Sequence, residues 1–235
     1  MSSRGRLSSA HRRMLFEESG IGARAAVKRG YRTVTSKAAL ERLGFGRSQR
    51  NVPALLIPIY GPTGEIVLYQ SRPDELRIGK RGKPVKYETP TGASMALDVH
   101  PFCRESLADR GVPLFVTEGI KKGDALVSRG LCVVTLIGVW SWRGTSEHGG
   151  KTALAEWEYV ALNGRKVYIV FDSDVMERRG VCVARWCSNW CSSPRFSCRG
   201  LFSFRVLLIG KPDQRVEPRG IEPLTSALPA RRSPS

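Results

Sequence analysis

The sequence predicts an α/β protein, a parallel sheet with helices on both faces preceded by a small basic α+β lobe. Two observations carry this expectation. From Pro113 onward, apolar runs of strand length alternate with helix-like stretches: "VPLFVTEG", "IKKGDALVSRG", "LCVVTLIG", "GKTALAEWEYVALNG" and "RKVYIVFDSD". Continuous apolar strands separated by helices mark a parallel sheet covered on both faces. Upstream of that alternation the period differs, helical before Val52 and hairpin-like after it, which sets off a separate lobe.

Taken in order, residues 1–50 read as a helical segment. "HRRMLFEESG" runs to a stop at Gly20, and "TSKAALERLGFG" starts at a Thr35 or Ser36 cap and stops at Gly44, following the usual cap and glycine signals. "GARAAVKRGYRT" between them reads as a linker or half-helix. Residues 51–110 form the basic lobe. "VPALLIPIY" and "EIVLYQSRP" are strand-like and flank the turn residues "GPTG", a hairpin pattern. The stretch "DELRIGKRGKPVKYETPTG" follows as a basic loop. Residues 111–180 hold the alternating core, in which "IKKGDALVSRG" is a helix closed by Gly130 and "GKTALAEWEYVALNG" a second helix.

Composition narrows the function. The chain has 235 residues with 41% apolar content, enough for one ordinary core and a smaller lobe. Its 38 Lys and Arg against 21 Asp and Glu give a net charge of +17, the sign that concentrates phosphate-rich polymers. The N-terminal stretch has no apolar signal region and no window approaches a membrane span, so the expectation is a cytoplasmic protein without a membrane partner. On that reading the six cysteines are reduced thiols.

Two strands of the core end in carboxylates, Glu118 after "LFVT" and Asp172 with Asp174 in "YIVFDSD". In an open parallel sheet, functional groups gather at the C-terminal ends of the strands. Taken alone, Asp-Ser-Asp also suits a helix cap or an Asx-turn. Three carboxylates at one edge repel unless a cation neutralises them, and hard oxygen ligands suit Mg2+.

The order of "VTEG", "LIG" and "FDSD" resembles the Toprim domain, a Rossmann-like fold shared by bacterial replicative primases, topoisomerases and related nucleases. "ALLIPIYGPTGEIVLYQSRPD" followed by "GKPVKYETPTG" is similar to the segment before Toprim in primases. "EGIKKGDAL" and "GVWSWRG" resemble the Toprim-like primase-associated domains of plasmids, phages and integrated elements. The likeness spans residues 10–180. It implies Glu118 as the acid/base or metal-bridging residue, and Glu118, Asp172 and Asp174 as ligands of Mg2+. It also implies DNA, nucleotides and a replicative helicase as partners, in a mobile-element replication protein. Two departures bear on activity: Lys122 stands where primases carry a further Asp, and nothing before Cys103 could ligate zinc.

The basic loop supplies candidate nucleic-acid contacts. Arg72, Lys80, Lys83, Lys86 and Tyr87, with Lys121 and Lys122 of the following motif, offer charge for phosphates and an aromatic face for stacking, as single-strand grooves do. Trp140 and Trp142 are candidates for base stacking or for packing. Two other classes remain open, a non-catalytic binding module for single strands and an NTPase. "RGTSEHGGKT" resembles a P-loop, although Gly144 is one residue too far from Gly150 for that motif.

Beyond Asp174 the composition changes, with ten Arg against one Lys from Val175 onward and four cysteines between Cys182 and Cys198. Their gaps lack the paired spacing of zinc modules. Residues 181–235 therefore read as an out-of-frame or disordered tail, which leaves the domain truncated and the sheet without its fourth strand.

Overall fold

The computed structural model describes residues 6–79, 82–145 and 149–172 and the strand Ser203–Ile209, the latter strand and Asp172 as backbone only. Ser8 caps the first helix, its side chain accepting from the His11 amide. Helix α1 (Ser9–Arg13) runs on as a π-helical turn over Met14–Glu18. Helix α2 (Ala23–Arg29) ends at Gly30 in the left-handed conformation, which glycine reaches without a Cβ penalty. Strand β1 (Arg32–Val34), helix α3 (Lys37–Arg42), β2 (Ala54–Tyr60) and β3 (Ile66–Pro73) follow. β2 and β3 form the expected antiparallel hairpin, and β1 adds to its other edge. The basic loop folds on itself as a minimal ladder of β4 (Arg77–Ile78) and β5 (Pro84–Val85).

The core sheet comprises β6 (Leu97–Val99), β7 (Leu114–Glu118), β8 (Cys132–Leu136), β11 (Lys166–Asp172) and β12 (Ser203–Ile209), in the order β12-β11-β7-β8-β6. All neighbours are parallel except β6, which closes one edge antiparallel to β8. Helix α4 (Ile120–Val127) crosses from β7 to β8. Leu114, Val116, Val134 and Leu136 have no solvent exposure, and burying each such side chain contributes about 2 kcal/mol.

Two expectations need correction. "GKTALAEWEYVALNG" is not a helix: β9 (Arg143–Thr145) pairs antiparallel with β10 (Lys151–Ala153), and Ala155–Tyr159 forms a 3-10 turn. Trp157 is the reason. Its indole N–H donates to the Trp142 carbonyl at 3.0 Å, folding the segment back onto the end of the hairpin and into the core. The sheet is also not short of a strand, because Ser203–Ile209 pairs with β11 along its whole length. "SFRVLLI" is an apolar, β-favouring run, and the Arg- and Cys-rich sequence around it obscured that character.

Charge in the interior holds the parts together. The Arg29 guanidinium, wholly buried, forms ion pairs with Asp98 of β6 and Asp124 of α4, both equally buried. It also donates to the Pro58 carbonyl of β2. Tyr31 Oη donates to Asp124 at 2.7 Å, and the Tyr60 amide donates to Asp98 at 3.2 Å. A second buried arginine, Arg165, donates to the carbonyls of Val112, Leu107 and Ser106 at 2.7–2.8 Å, fixing the chain that leads into β11.

Removing one partner of a buried pair strands the other charge, so Arg29→Met should lower unfolding free energy by about 3–5 kcal/mol in urea titrations. An unchanged midpoint would show that the two lobes hold without this contact. A chain ended before Ser203 leaves the β11 edge unpaired, and an open apolar edge invites association. Compared with a chain ended after Ile209, it should aggregate at lower concentration in light scattering.

Candidate nucleic-acid interface and acidic edge

The edge where β7, β8 and β11 end is set by backbone geometry. β7 stops at Glu118, and Gly119 turns the chain with φ +80° into α4 while its amide donates to the Leu136 carbonyl of β8 at 2.8 Å. Nothing lies within 4 Å of where a Gly119 side chain would start, so the backbone there is open. Gly123 is constrained the other way: a Cβ would fall 2.1 Å from Thr135 Oγ1, so only glycine lets α4 lie this close to β8. β7 and β11 run in parallel with Thr117 beside Val170, and Thr117 Oγ1 donates to the Val170 carbonyl at 2.7 Å. Asp172 therefore ends a strand adjacent to the Glu118 strand and at the same edge. Asp174 lies outside the described residues.

The Glu118 side chain is 19% exposed, and the Lys122 ammonium, one helical turn on, stands 3.7 Å from its carboxylate. Among the described residues no three His, Cys, Asp or Glu side chains gather as a metal site. Glu118 is the carboxylate at this edge whose side chain the structure describes, and the strand beside it ends in Asp172. Lys122 is the local competitor for Glu118.

A second cluster forms where the hairpin lobe meets α4. Arg72 on β3 lies over the Tyr87 ring, 5.9 Å from its centroid, and its Nη1 is 3.2 Å from Met14 Sδ. Lys121 donates to Ser19 Oγ at 3.1 Å. Burial pulls the Lys121 pKa below the ordinary lysine value, and the like charges of Arg72 and Lys86 pull it further, against the opposite pull of Glu18. Burial also raises the Tyr87 pKa, with the Arg72 charge working against it. Lys83, Lys86 and Tyr87 are exposed.

The structure thus brings Arg72, Lys86, Tyr87 and Lys121 together and leaves Lys83 on the exposed lip of the β4–β5 ladder. Lys122 faces Glu118 instead. Lys80 lies outside the described residues. Met14 and Ser19 join the cluster from 58 and 102 residues away along the chain, a proximity that no local motif signals.

The structure also bears on two stretches that the sequence left open. Trp142 is 2% exposed and packs in the core, so it offers no face to a base, whereas half-buried Trp140 carries the Arg143 guanidinium 4.5 Å from its ring centroid. The P-loop-like stretch places Gly144 and Thr152 opposite each other as arms of the β9–β10 hairpin. A phosphate loop needs a strand, a glycine loop and a helix in that order, so this hairpin is not a P-loop and lends the NTPase reading no support.

Residues 102–192 match the family described as Domain of unknown function (DUF3854). No curated protein matches the sequence. Among solved structures, the RNA polymerase domain of the Mycobacterium tuberculosis primase DnaG is similar with TM-score 0.55 and 19% identity, over 88% of this chain and 70% of that one. The Aquifex aeolicus primase fragment of zinc-binding and RNA polymerase domains has TM-score 0.55 and 15% identity, over 87% of this chain and 51% of that one. A DnaG primase catalytic domain bound to single-stranded DNA has TM-score 0.50 and 17% identity, over 83% of this chain and 65% of that one. The fold is the mixed α/β, Toprim-type fold of bacterial primase catalytic domains.

The crowding of cations around Lys121 is testable directly. Replacing Arg72 with Gln removes one like charge, so the Lys121 pKa, followed by NMR of its side-chain carbon, should rise toward the ordinary lysine value. No rise would place Arg72 too far from Lys121 to share one anion with it.

Proposed function

We propose that this domain binds single-stranded DNA along the Arg72–Lys86–Lys121 seam and carries out Mg2+-dependent nucleotidyl-transfer or phosphodiester chemistry at the Glu118 edge. One observation carries the reading: Arg72 of the hairpin lobe, over the Tyr87 ring and against Met14 Sδ, and Lys121 of α4, bonded to Ser19 Oγ, meet at the turn where Ser19 Oγ donates to the Met14 carbonyl. Like charges held together in this way favour a bound polyanion. The exposed Tyr87 ring beside them supplies a face for a base, as in other single-strand grooves.

In this reading the lobe grips and the edge reacts. Arg72, Lys86 and Lys121 hold consecutive phosphates, Lys80 and Lys83 extend the track, and Tyr87 limits sliding by stacking. Glu118, at the end of β7, handles a proton at the attacking or leaving oxygen, and Glu118, Asp172 and Asp174 would hold Mg2+. Bound Mg2+ would supply charge stabilisation for the transferring phosphoryl oxygens. The primase fold supports a place in replication. The helicase partner, the nucleotide substrates and a mobile-element setting rest on the sequence resemblance.

A second reading is a binding module without catalysis, and the Lys122–Glu118 ion pair favours it. Product formation separates the two. On a primed or nicked single-stranded template with Mg2+ and nucleotides, the first reading expects extension or cleavage that Glu118→Gln abolishes while DNA affinity persists. Binding without any product assigns the module.

The seam itself is tested by salt. Affinity for a single-stranded oligonucleotide, read by fluorescence anisotropy, should fall steeply with salt. Lys83→Ala combined with Lys86→Ala should flatten that slope by about one to two phosphate contacts. An unchanged slope would return the loop to an ordinary solvated surface.

A further inference from the structure

Two cysteines and an arginine meet at the end of the core sheet opposite Glu118. Cys103, in the turn after β6, and Cys132, the first residue of β8, are free thiols, 2% and 4% exposed. The Val133 amide donates to Cys103 Sγ at 3.2 Å, and the same sulfur lies 3.5 Å from the Leu131 carbonyl. Cys103 Sγ is therefore held against the backbone on both sides of Cys132. Cys132 Sγ in turn lies 4.0 Å from the Cys103 carbonyl, and the two thiols hydrogen-bond to each other. The cover over them is thin, because Phe102, Arg104 and Gly130 beside them are exposed.

Arg165 completes the group. Its Nη2 stands 3.5 Å from Cys132 Sγ, and its other bonds go to the carbonyls of Val112, Leu107, Ala161 and Ser106. Among the described residues no carboxylate pairs with this buried guanidinium. A buried charge calls for an opposite one, and the Cys132 sulfur supplies it as a thiolate. The hydrogen bond from Cys103, helped by the Arg165 charge, pulls the Cys132 pKa down to about 7 against the effect of burial. The same hydrogen bond and burial push the Cys103 thiol up, and the charge of Asp124 adds to that. One thiol is thus set to react and its neighbour to keep its proton.

We propose that Cys132 and Cys103 form a reversible oxidation site for small hydroperoxides, in which Cys132, held as a thiolate by Arg165, is oxidised first and Cys103 closes an intramolecular disulfide. The Cys132 thiolate attacks one peroxide oxygen, the O–O bond breaks, and the departing hydroxide takes a proton to become water. The Cys103 sulfur then attacks the sulfenic sulfur of Cys132, the S–O bond breaks, and the hydroxyl leaves with the Cys103 proton as a second water. Two thiols lose two electrons and two protons, and one hydrogen peroxide becomes two waters. Stabilising the reduced form makes a disulfide easier to reduce, so Arg165 makes this bond a switch more than a staple. Oxidation also takes the anion from Arg165, which anchors the chain leading into β11. Neither the cation seam nor Glu118 enters the argument, so it stands apart from the function proposed above.

The test exposes the reduced full chain to hydrogen peroxide, quenches with catalase, alkylates the unfolded chain and maps its peptides by mass spectrometry. Mapping separates Cys103 and Cys132 from the other four cysteines. A linked Cys103–Cys132 peptide should form about tenfold faster than the same thiols are lost in a guanidinium-unfolded chain at equal pH, and dithiothreitol should reverse it. Cys103→Ser should stop at a sulfenic acid on Cys132, trapped by dimedone, and Cys132→Ser should leave Cys103 a thiol. The rate in the folded chain should climb as pH rises through about 7, where Cys132 loses its proton. Arg165→Gln, with its fold checked by circular dichroism, should move that rise to higher pH. If that variant does not fold, the two cysteine variants and the folded-against-unfolded comparison decide. A pair that reacts no faster folded than unfolded is two inert core thiols, and the proposal fails. Sulfenic acid on Cys103 in Cys132→Ser, formed as fast as on Cys132 in Cys103→Ser, would overturn the assignment of roles.

Discussion

One buried guanidinium sets the geometry on which everything else depends. Arg29, with no solvent exposure, takes Asp98 from the edge strand and Asp124 from α4, and donates to the Pro58 carbonyl of the hairpin. Burying three charges is costly unless every one is paired and hydrogen-bonded. Tyr31 and the Tyr60 amide complete that requirement. Alternative packings of the two lobes would leave at least one of these charges unpaired in the interior, so the contact selects a single arrangement more than it adds stability.

That arrangement fixes the roll of α4, and the roll assigns the lysines. Ile120, Gly123, Asp124 and Val127 face inward, which places Lys121 and Lys122 on opposite flanks of the buried stripe, about 100° apart around the helix axis. One flank meets Ser19 and the hairpin lobe, the other meets Glu118. Two adjacent lysines with the same side chain thereby serve different neighbours. Gly123 is part of the same constraint, because its lack of a side chain lets α4 approach Thr135.

The legible part of this molecule was the part governed by short-range pattern. Apolar runs ending in carboxylates located β7 and β11 and put Glu118 and Asp172 at one edge, and the turn residues of "GPTG" located the hairpin. What escaped was governed by contacts distant in sequence. Arg29 and Asp124 are 95 residues apart, and in a chain of this charge an arginine reads as one more solvated cation. "GKTALAEWEYVALNG" has good helix formers, yet Trp157 gains more by bonding to the Trp142 carbonyl and entering the core than local propensity can offset. β12 was hidden for a different reason: bulk Arg and Cys content outweighed a short apolar run that the β11 edge could pair with.

The seam at Lys121 and the buried Arg29–Asp124 pair meet on the same helix. Burial, and the charges of Arg72 and Lys86 against the pull of Glu18, lower the Lys121 pKa, so holding that ammonium charged at this place costs free energy. Other contacts must keep the helix there. Here the opposing pull comes from the inward face of the same helix, through Asp124 to Arg29. In the proposed reading, a phosphate at the seam would offset that cost by setting an opposite charge beside Lys121 and Arg72, while the Asp124–Arg29 contact keeps the helix that carries Lys121 in place.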